Sequence, residues 1–414
     1  MRIWILNHYA SPPDRPTGTR HYDFGRVLAG RGHDVTIFAS SFNHFSLTEE
    51  HLAPGERMRT QTVNGVRFIW VRTSPYSGND HRRALNMISY ALGALRAQRR
   101  LSRPDVVVGS CVHPAAVVAA WLIGAARRAA FVFEVRDLWP QTLIDMDGLR
   151  ARSPTARALR GVETFLYRRA RVVISLLPGA AEYITGLGIP ARKIVYVPNG
   201  IAAPTAPVTP VADALPLLRR IESWRNQGRL VAGYIGSHGR ANRVDVLVRA
   251  ARALRDRGEE GFAFVFVGDG PERAACERLA SDLGLRDALF VPPVPKRAVP
   301  SLLQALDATL FTLADAPVFR YGLSSNKLFD YLASGRPVVS ACAVPGNPVS
   351  ASGGGICVPP LAPEAVADAL VALASLGTAG RQAMGERGRR WVYKHHDATA
   401  LADRFLRALA LARR

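Results

Sequence analysis

The strongest constraint on this chain is a rhythm that runs, breaks and starts again. In the first half, "RIWILN" (2–7), "DVTIFAS" (34–40), "VRFIWVR" (66–72), "PDVVVGS" (104–110), "AAFVFEVR" (129–136) and "ARVVISLL" (170–177) have the length and β-branched, aromatic content of strands. Helical patterns near 20–31, 82–100 and 115–126 lie between them. A Pro/Ala-rich break follows, "VPNGIAAPTAPVTPVADALP" (197–216). The alternation then resumes with "RLVAGYIGS" (229–237), a helix at 244–254, "FAFVFVGDG" (262–270), "ALFVPPV", "ATLFTLA" and "RPVVSAC". Strands alternating with helices pair in parallel through helical crossovers. The expectation is therefore two doubly wound α/β domains: one over 1–200, a linker over 201–216, and a second over 217–394. Ligands of open α/β sheets sit at the carboxyl ends of the strands, so two such domains facing a central cleft would hold a ligand there.

Length supports the division, because 414 residues exceed one ordinary core and the 48% apolar content suffices for two. The longest apolar stretch, 115–126, is closed by Arg127 and Arg128. It falls short of the ~20 residues that span a bilayer and reads as a buried helix. No long apolar core follows Leu6, so the expected location is cytoplasmic. Cys111, Cys276, Cys342 and Cys357 are scattered, which suits reduced thiols without structural zinc.

Net charge is +21 and the pI about 10.8, which calls for an anionic partner: nucleic acid, a membrane surface or a polyanionic small substrate. Nucleic acid fits poorly, because the arginines are dispersed and the aromatics fall inside strand patterns. Arg82, Arg83, Arg96, Arg99 and Arg100 flank the apolar "ALNMISYALGAL". That arrangement matches an interfacial helix on an anionic membrane, with the protein peripheral to it.

"YGLSSNKLFDYLASGRPVV" (321–339) carries the densest chemistry. Only Lys193, Lys296, Lys327 and Lys394 are lysines among the 54 basic residues, and Lys327 stands where a loop becomes a helix. A helix start offers free N–H groups and the positive end of its dipole, so the amides at Ser325 and Asn326 suit a phosphate. Lys327 adds a point charge. Asp330, one turn on, suits the two hydroxyls of a ribose. The same residue types also suit a plain N-cap at Ser325, a solvated lysine and an acidic first turn.

"NKLFDYLASGRPVV" resembles the donor-nucleotide segment of GT-B glycosyltransferases of family 4, in the bacterial surface-polysaccharide, L-fucosamine-transferase-like branch. "PPDRPTGTR" (12–20), "FEVRDLWPQ" (133–141), "VPNGI" (197–201), "GYIGSHG" (233–239) and "VGDGPER" (267–273) agree with it in the same order. The resemblance implies the GT-B fold, with the C-terminal helix (about 395–414) packed back on the first domain. It implies donor contacts from Gly18, Gly236, Ser237, Arg240, Ser325, Asn326, Lys327 and Asp330. Two departures stand out. The commoner pattern has two glutamates eight positions apart, and Gly322 occupies the first place. It also has an Arg and a Lys after the first glycine loop, where this chain has Ser237 and Asn242. Lys327 is expected to supply the missing cation, helped by Arg240 or Arg243.

Asp137, beyond "FEVR", and His113, beyond "VVVGSCV", join Lys327 as candidate catalytic residues; Glu134 is a weaker one. No metal or other cofactor is expected. The resemblance implies a retaining transferase that moves a sugar, N-acetylated in one version, from a UDP-sugar to a saccharide or lipid-linked acceptor of polysaccharide synthesis. No nucleophile stands out, in keeping with a front-face reaction in which the departing phosphate takes the acceptor proton. A UDP-sugar 2-epimerase and a transferase acting on a soluble small acceptor are the alternatives.

Overall fold

A computed structural model describes residues 1–13, 18–44, 46–78, 81–203 and 208–414. Residues 14–17 of the expected glycine loop and 204–207 of the expected linker lie outside the described residues. The chain divides into two compact units. Among the described residues, one holds 1–13, 18–199 and Ala398–Arg414, and the other Gly200–Asp397.

The first unit is built on eight strands: β1 (Arg2–Leu6), β2 (Asp34–Ser40), β3 (Met58–Val63), β4 (Val66–Val71), β5 (Val106–Cys111), β6 (Ala130–Val135), β7 (Val172–Ser175) and β8 (Ile194–Tyr196). Their order is β3-β4-β2-β1-β5-β6-β7-β8. All pairs are parallel except the β3–β4 hairpin, which turns through Asn64 and Gly65 at φ 47° and 82°. Valine-rich strands buried on both faces are what a helix-covered parallel sheet requires, and every residue of β5 is buried. Gly109 in β5 lets helix Pro114–Ala126 close on the strand, since a Cβ there would lie 2.8 Å from the Ala120 Cβ.

Helices Arg20–Gly30 and Ala398–Arg413 cover one face. Their Phe24, Leu28, Leu401, Phe405 and Leu409 share a core with Ile3, Ile5, Val106 and Val108. On the other side, helix His81–Ala97 anchors through the Tyr90 hydroxyl, which donates to the Phe38 carbonyl at 2.7 Å. It packs on helix Pro114–Ala126, which packs on helix Pro154–Arg169.

The second unit has six parallel strands: β9 (Leu230–Ile235), β10 (Phe262–Val267), β11 (Ala288–Val291), β12 (Ala308–Thr312), β13 (Val338–Ala341) and β14 (Gly355–Val358). The order β11-β10-β9-β12-β13-β14 reverses direction between β9 and β12. Side chains reaching the carboxyl ends of those two strands therefore stand at the topological switch point.

One expected boundary needs correction. Residues expected in the linker belong to the second unit: Ala212–Ala214 form a turn of 3-10 helix, and Leu215 starts a helix that runs to Asn226. Pro216 stands in the first turn of that helix, where its missing N–H costs nothing. Ala214 and Leu217 are core residues.

Candidate functional site

The switch point of the second unit is occupied by one ammonium group. Helix Asn326–Ala333 begins beyond Ser325, whose side chain makes no capping hydrogen bond. Gly322, at φ 92°, turns the chain into it. Tyr331 fixes the helix to β9: its hydroxyl accepts from the Ile235 amide at 2.8 Å and donates to the Ile235 carbonyl at 3.0 Å. Lys327 then reaches across. Its Nζ donates to the Tyr234 hydroxyl at 2.8 Å and to Asn242 Oδ1 at 2.6 Å. It also lies 4.6 Å from the Tyr234 ring centre and 5.4 Å from that of Phe311 in β12. None of these partners is anionic. Desolvation lowers its pKa to about 7, far below that of an ordinary lysine. Among the described residues the Lys327 ammonium has no anionic partner.

Gly236 keeps this space open, since a Cβ there would come within 2.9 Å of Lys327 Cδ. Ser237 directs its carbonyl inward to the Tyr234 hydroxyl at 2.6 Å. Asn242 stands at one of the positions where the commoner family pattern has a basic residue, and the Lys327 ammonium arrives there from helix Asn326–Ala333.

Asp330 is half-buried and ion-paired with Lys296. That lysine arrives from the turn Lys296–Ala298, 34 residues before its partner. Two of the four lysines thus serve one helix. Arg240 is 81% exposed with its Nε 3.5 Å from Glu272, so it adds no contact to Lys327. Arg243 is paired bidentately with Asp245 at 2.8–2.9 Å and is not free to assist.

A second feature escaped the sequence. His238 is fully buried, and neither ring nitrogen has a hydrogen-bond partner among the described residues. Burial drives its pKa down to about 4, so the ring is neutral. Its backbone is clasped by the next loop: its amide donates to the Asp269 carbonyl at 2.8 Å and its carbonyl accepts from Glu272 at 2.9 Å. Gly268 and Gly270 make this possible at φ 140° and 152°. A Cβ on Gly268 would stand 2.0 Å from the Gly236 carbonyl oxygen. Gly268→Ala is expected to cost about 1–3 kcal/mol through backbone strain and to weaken nucleotide binding with it. Thermal denaturation and nucleotide titration of the variant measure both.

In the first unit the candidates separate. Gly18 lies half-buried in the loop before helix Arg20–Gly30. Asp137 is exposed just beyond β6. The expectation for His113 is corrected. It is the N-cap of helix Pro114–Ala126, with Nδ1 accepting from the Ala116 amide at 3.3 Å and Nε2 2.7 Å from His8 Nδ1. It is fully buried, and burial takes its pKa to about 3, so the ring is neutral and both nitrogens are engaged within the protein. Glu134 is likewise structural. Its carboxylate binds Arg20 Nε at 3.0 Å and His21 Nε2 at 2.7 Å, all three side chains being buried. Burial alone would raise its pKa; the adjacent His21 and Arg20 outweigh that and hold it well below the carboxylate range.

Comparison with known proteins agrees with this division. Residues 17–200 match the Glycosyl transferase 4-like domain, and residues 229–376 match Glycosyl transferases group 1. The chain is 30% identical to 2-deoxystreptamine glucosyltransferase of Streptomyces kanamyceticus over 202 residues, 45% of this chain and 50% of that protein. It thus spans about half the length of that relative. It is 25% identical to the putative colanic acid biosynthesis glycosyl transferase WcaI of Escherichia coli K12 over 329 residues, 75% of this chain and 76% of that one. The structure of Anabaena HepE in complex with UDP-glucose superposes with a TM-score of 0.69 at 15% identity, covering 99% of both chains, a likeness of fold.

Proposed function

Because the chain belongs to the family 4-like glycosyltransferases of GT-B fold, we propose that it moves a sugar from a UDP-sugar to a saccharide or lipid-linked acceptor of cell-surface polysaccharide synthesis. The observation that carries this is Lys327, an ammonium with no anionic partner among the described residues, at the start of a helix whose N-cap Ser325 makes no side-chain capping bond. The amides at Ser325 and Asn326 receive the pyrophosphate, with the Lys327 ammonium beside them. Asp330 takes the ribose hydroxyls, with Lys296 holding its carboxylate in place. When the bond from sugar to phosphate breaks, negative charge grows on the departing diphosphate. The helix terminus and Lys327 meet it, with no metal cofactor required. Retention of configuration follows if that phosphate takes the acceptor proton on the face it leaves. The first unit takes the acceptor, with Asp137 as its contact, while Gly18 lets the backbone approach the donor's sugar phosphate.

Helix His81–Ala97 supports work at the cytoplasmic face of a membrane. It bears no acidic residue and exposes Leu85, Ile88 and Leu92 by 54%, 51% and 47%. Among the described residues no helix is long and apolar enough to cross a bilayer. A soluble aminocyclitol acceptor is the second reading, favoured by the 30% identity to the Streptomyces glucosyltransferase.

The test is a thermal-shift panel of UDP, ADP, GDP and UDP-sugars. UDP compounds should stabilise the protein by the mass-action amount; absence of any shift would remove the proposal. A pH series sharpens it. Free Lys327 loses its proton as pH rises through about 7, whereas an anionic ligand favours the charged form. UDP affinity should therefore fall by more than about tenfold between roughly pH 7 and pH 9. Lys327→Arg, which stays charged, should flatten the slope.

A further inference from the structure

A groove of about 490 Å³ runs along the outer face of helix Pro154–Arg169, bounded by Arg157, Arg160, Thr164, Phe165, Arg168 and Leu187, and none of its lining residues is acidic. The arginines recur at helical spacing and share one stripe. Arg157 and Arg168 are exposed, and neither guanidinium has a hydrogen bond or ion pair among the described residues. Arg160 is pre-oriented. It donates to the Tyr183 hydroxyl at 3.2 Å and to Gln141 Oε1 at 3.1 Å, with its guanidinium 5.8 Å from the Tyr183 ring centre. The helix has one acid, Glu163. It is buried, accepting from Tyr183 at 2.8 Å and Tyr167 at 2.9 Å, and burial raises its pKa to about 7. The groove's positive charge is therefore not neutralised by its own helix.

Apolar side chains adjoin the arginines. Phe165 and Val162 are exposed by 38% and 37%, and Leu122 on the neighbouring helix by 38%. Trp121 packs edge-on to Phe165 with ring centres 4.9 Å apart. Helices 81–97, 114–126 and 154–169 together carry six of the twelve exposed large apolar side chains among the described residues. Guanidinium forks suit phosphate oxygens, and an apolar rim suits a hydrocarbon chain.

We infer that this groove binds the phosphate headgroup of an anionic membrane lipid, as an attachment point separate from helix His81–Ala97. The inference rests on the membrane part of the preceding reading. A second copy of the chain is a poorer occupant, since its own arginine stripe would repel.

The experiment is co-sedimentation of the full chain with phosphatidylcholine vesicles, plain or with about 30 mol % phosphatidylglycerol. Arg157→Glu with Arg168→Glu should lower affinity for the anionic vesicles by at least about tenfold. The Lys pair at these positions should restore most of it, and the UDP-induced thermal shift should not change. Undiminished vesicle binding by the Glu pair overturns the inference. So does displacement from vesicles by inorganic phosphate as effective as that by a short-chain phosphatidylglycerol, or a dimer that the Glu pair dissociates. If Leu85→Ser with Ile88→Ser alone releases the protein, membrane attachment stands and this site falls. A missing UDP shift sinks the donor reading without touching the vesicle result.

Discussion

Lys327→Met should lower glycosyl transfer by about 10²–10³-fold, the range seen when one preorganised charge-stabilising donor is removed. The ammonium is held by Tyr234 and Asn242 before any ligand arrives, so no reorganisation is needed as charge develops. Global stability should hardly suffer. The folded protein already bears the desolvation of this group, and methionine fills a similar volume against Tyr234 and Phe311. The informative measurement pairs kcat with a melting curve. A large fall in kcat at an unchanged melting temperature assigns the residue to chemistry. Wild-type turnover in the variant would refute that role. Lys327→Arg should recover part of the rate, because charge returns while the geometry differs.

Glu134→Gln should show the opposite pattern, a stability loss with no direct part in chemistry. The substitution leaves the Arg20 guanidinium buried without its counter-ion, although Arg20 keeps the Val197 carbonyl at 2.8 Å. Removing one partner of a buried pair costs about 3–5 kcal/mol. For a unit of this size that lowers the melting temperature by on the order of 10 °C. Calorimetry should place the loss in the transition of the first unit. A Glu134→Gln protein that melts with the wild type would mean that Arg20 finds another acceptor.

The strand-and-helix rhythm was legible because parallel strands buried on both faces need unbroken β-branched runs, as in Val106–Cys111. Met58–Val63 was missed because it is an edge strand with four exposed residues, and "MRTQTV" lacks an apolar run. Proline reads as a breaker in 201–216, yet Pro216 stands in the first turn of a helix that begins at Leu215. At the site, the lysine and the carboxylate could be seen on one short segment. Their partners could not: Tyr234, Asn242 and Lys296 come from distant parts of the sequence and meet them only through the fold. His113 shows the converse. A histidine before a proline at a strand end suggested chemistry, and its imidazole turned out to cap a helix. A capping reading needed only the following Pro-Ala-Ala to be taken as a first turn.

The helix Ala398–Arg413 has a consequence for biosynthesis. Leu401, Phe405 and Leu409 complete the core of the first unit, but they leave the ribosome only after the whole second unit has been made. The earlier-translated half must wait with an apolar face uncovered while the later half closes first. A nascent chain stalled before residue 398 should accordingly engage chaperones through its leading half, and truncation at that point should yield insoluble protein although every residue of the proposed nucleotide site is present.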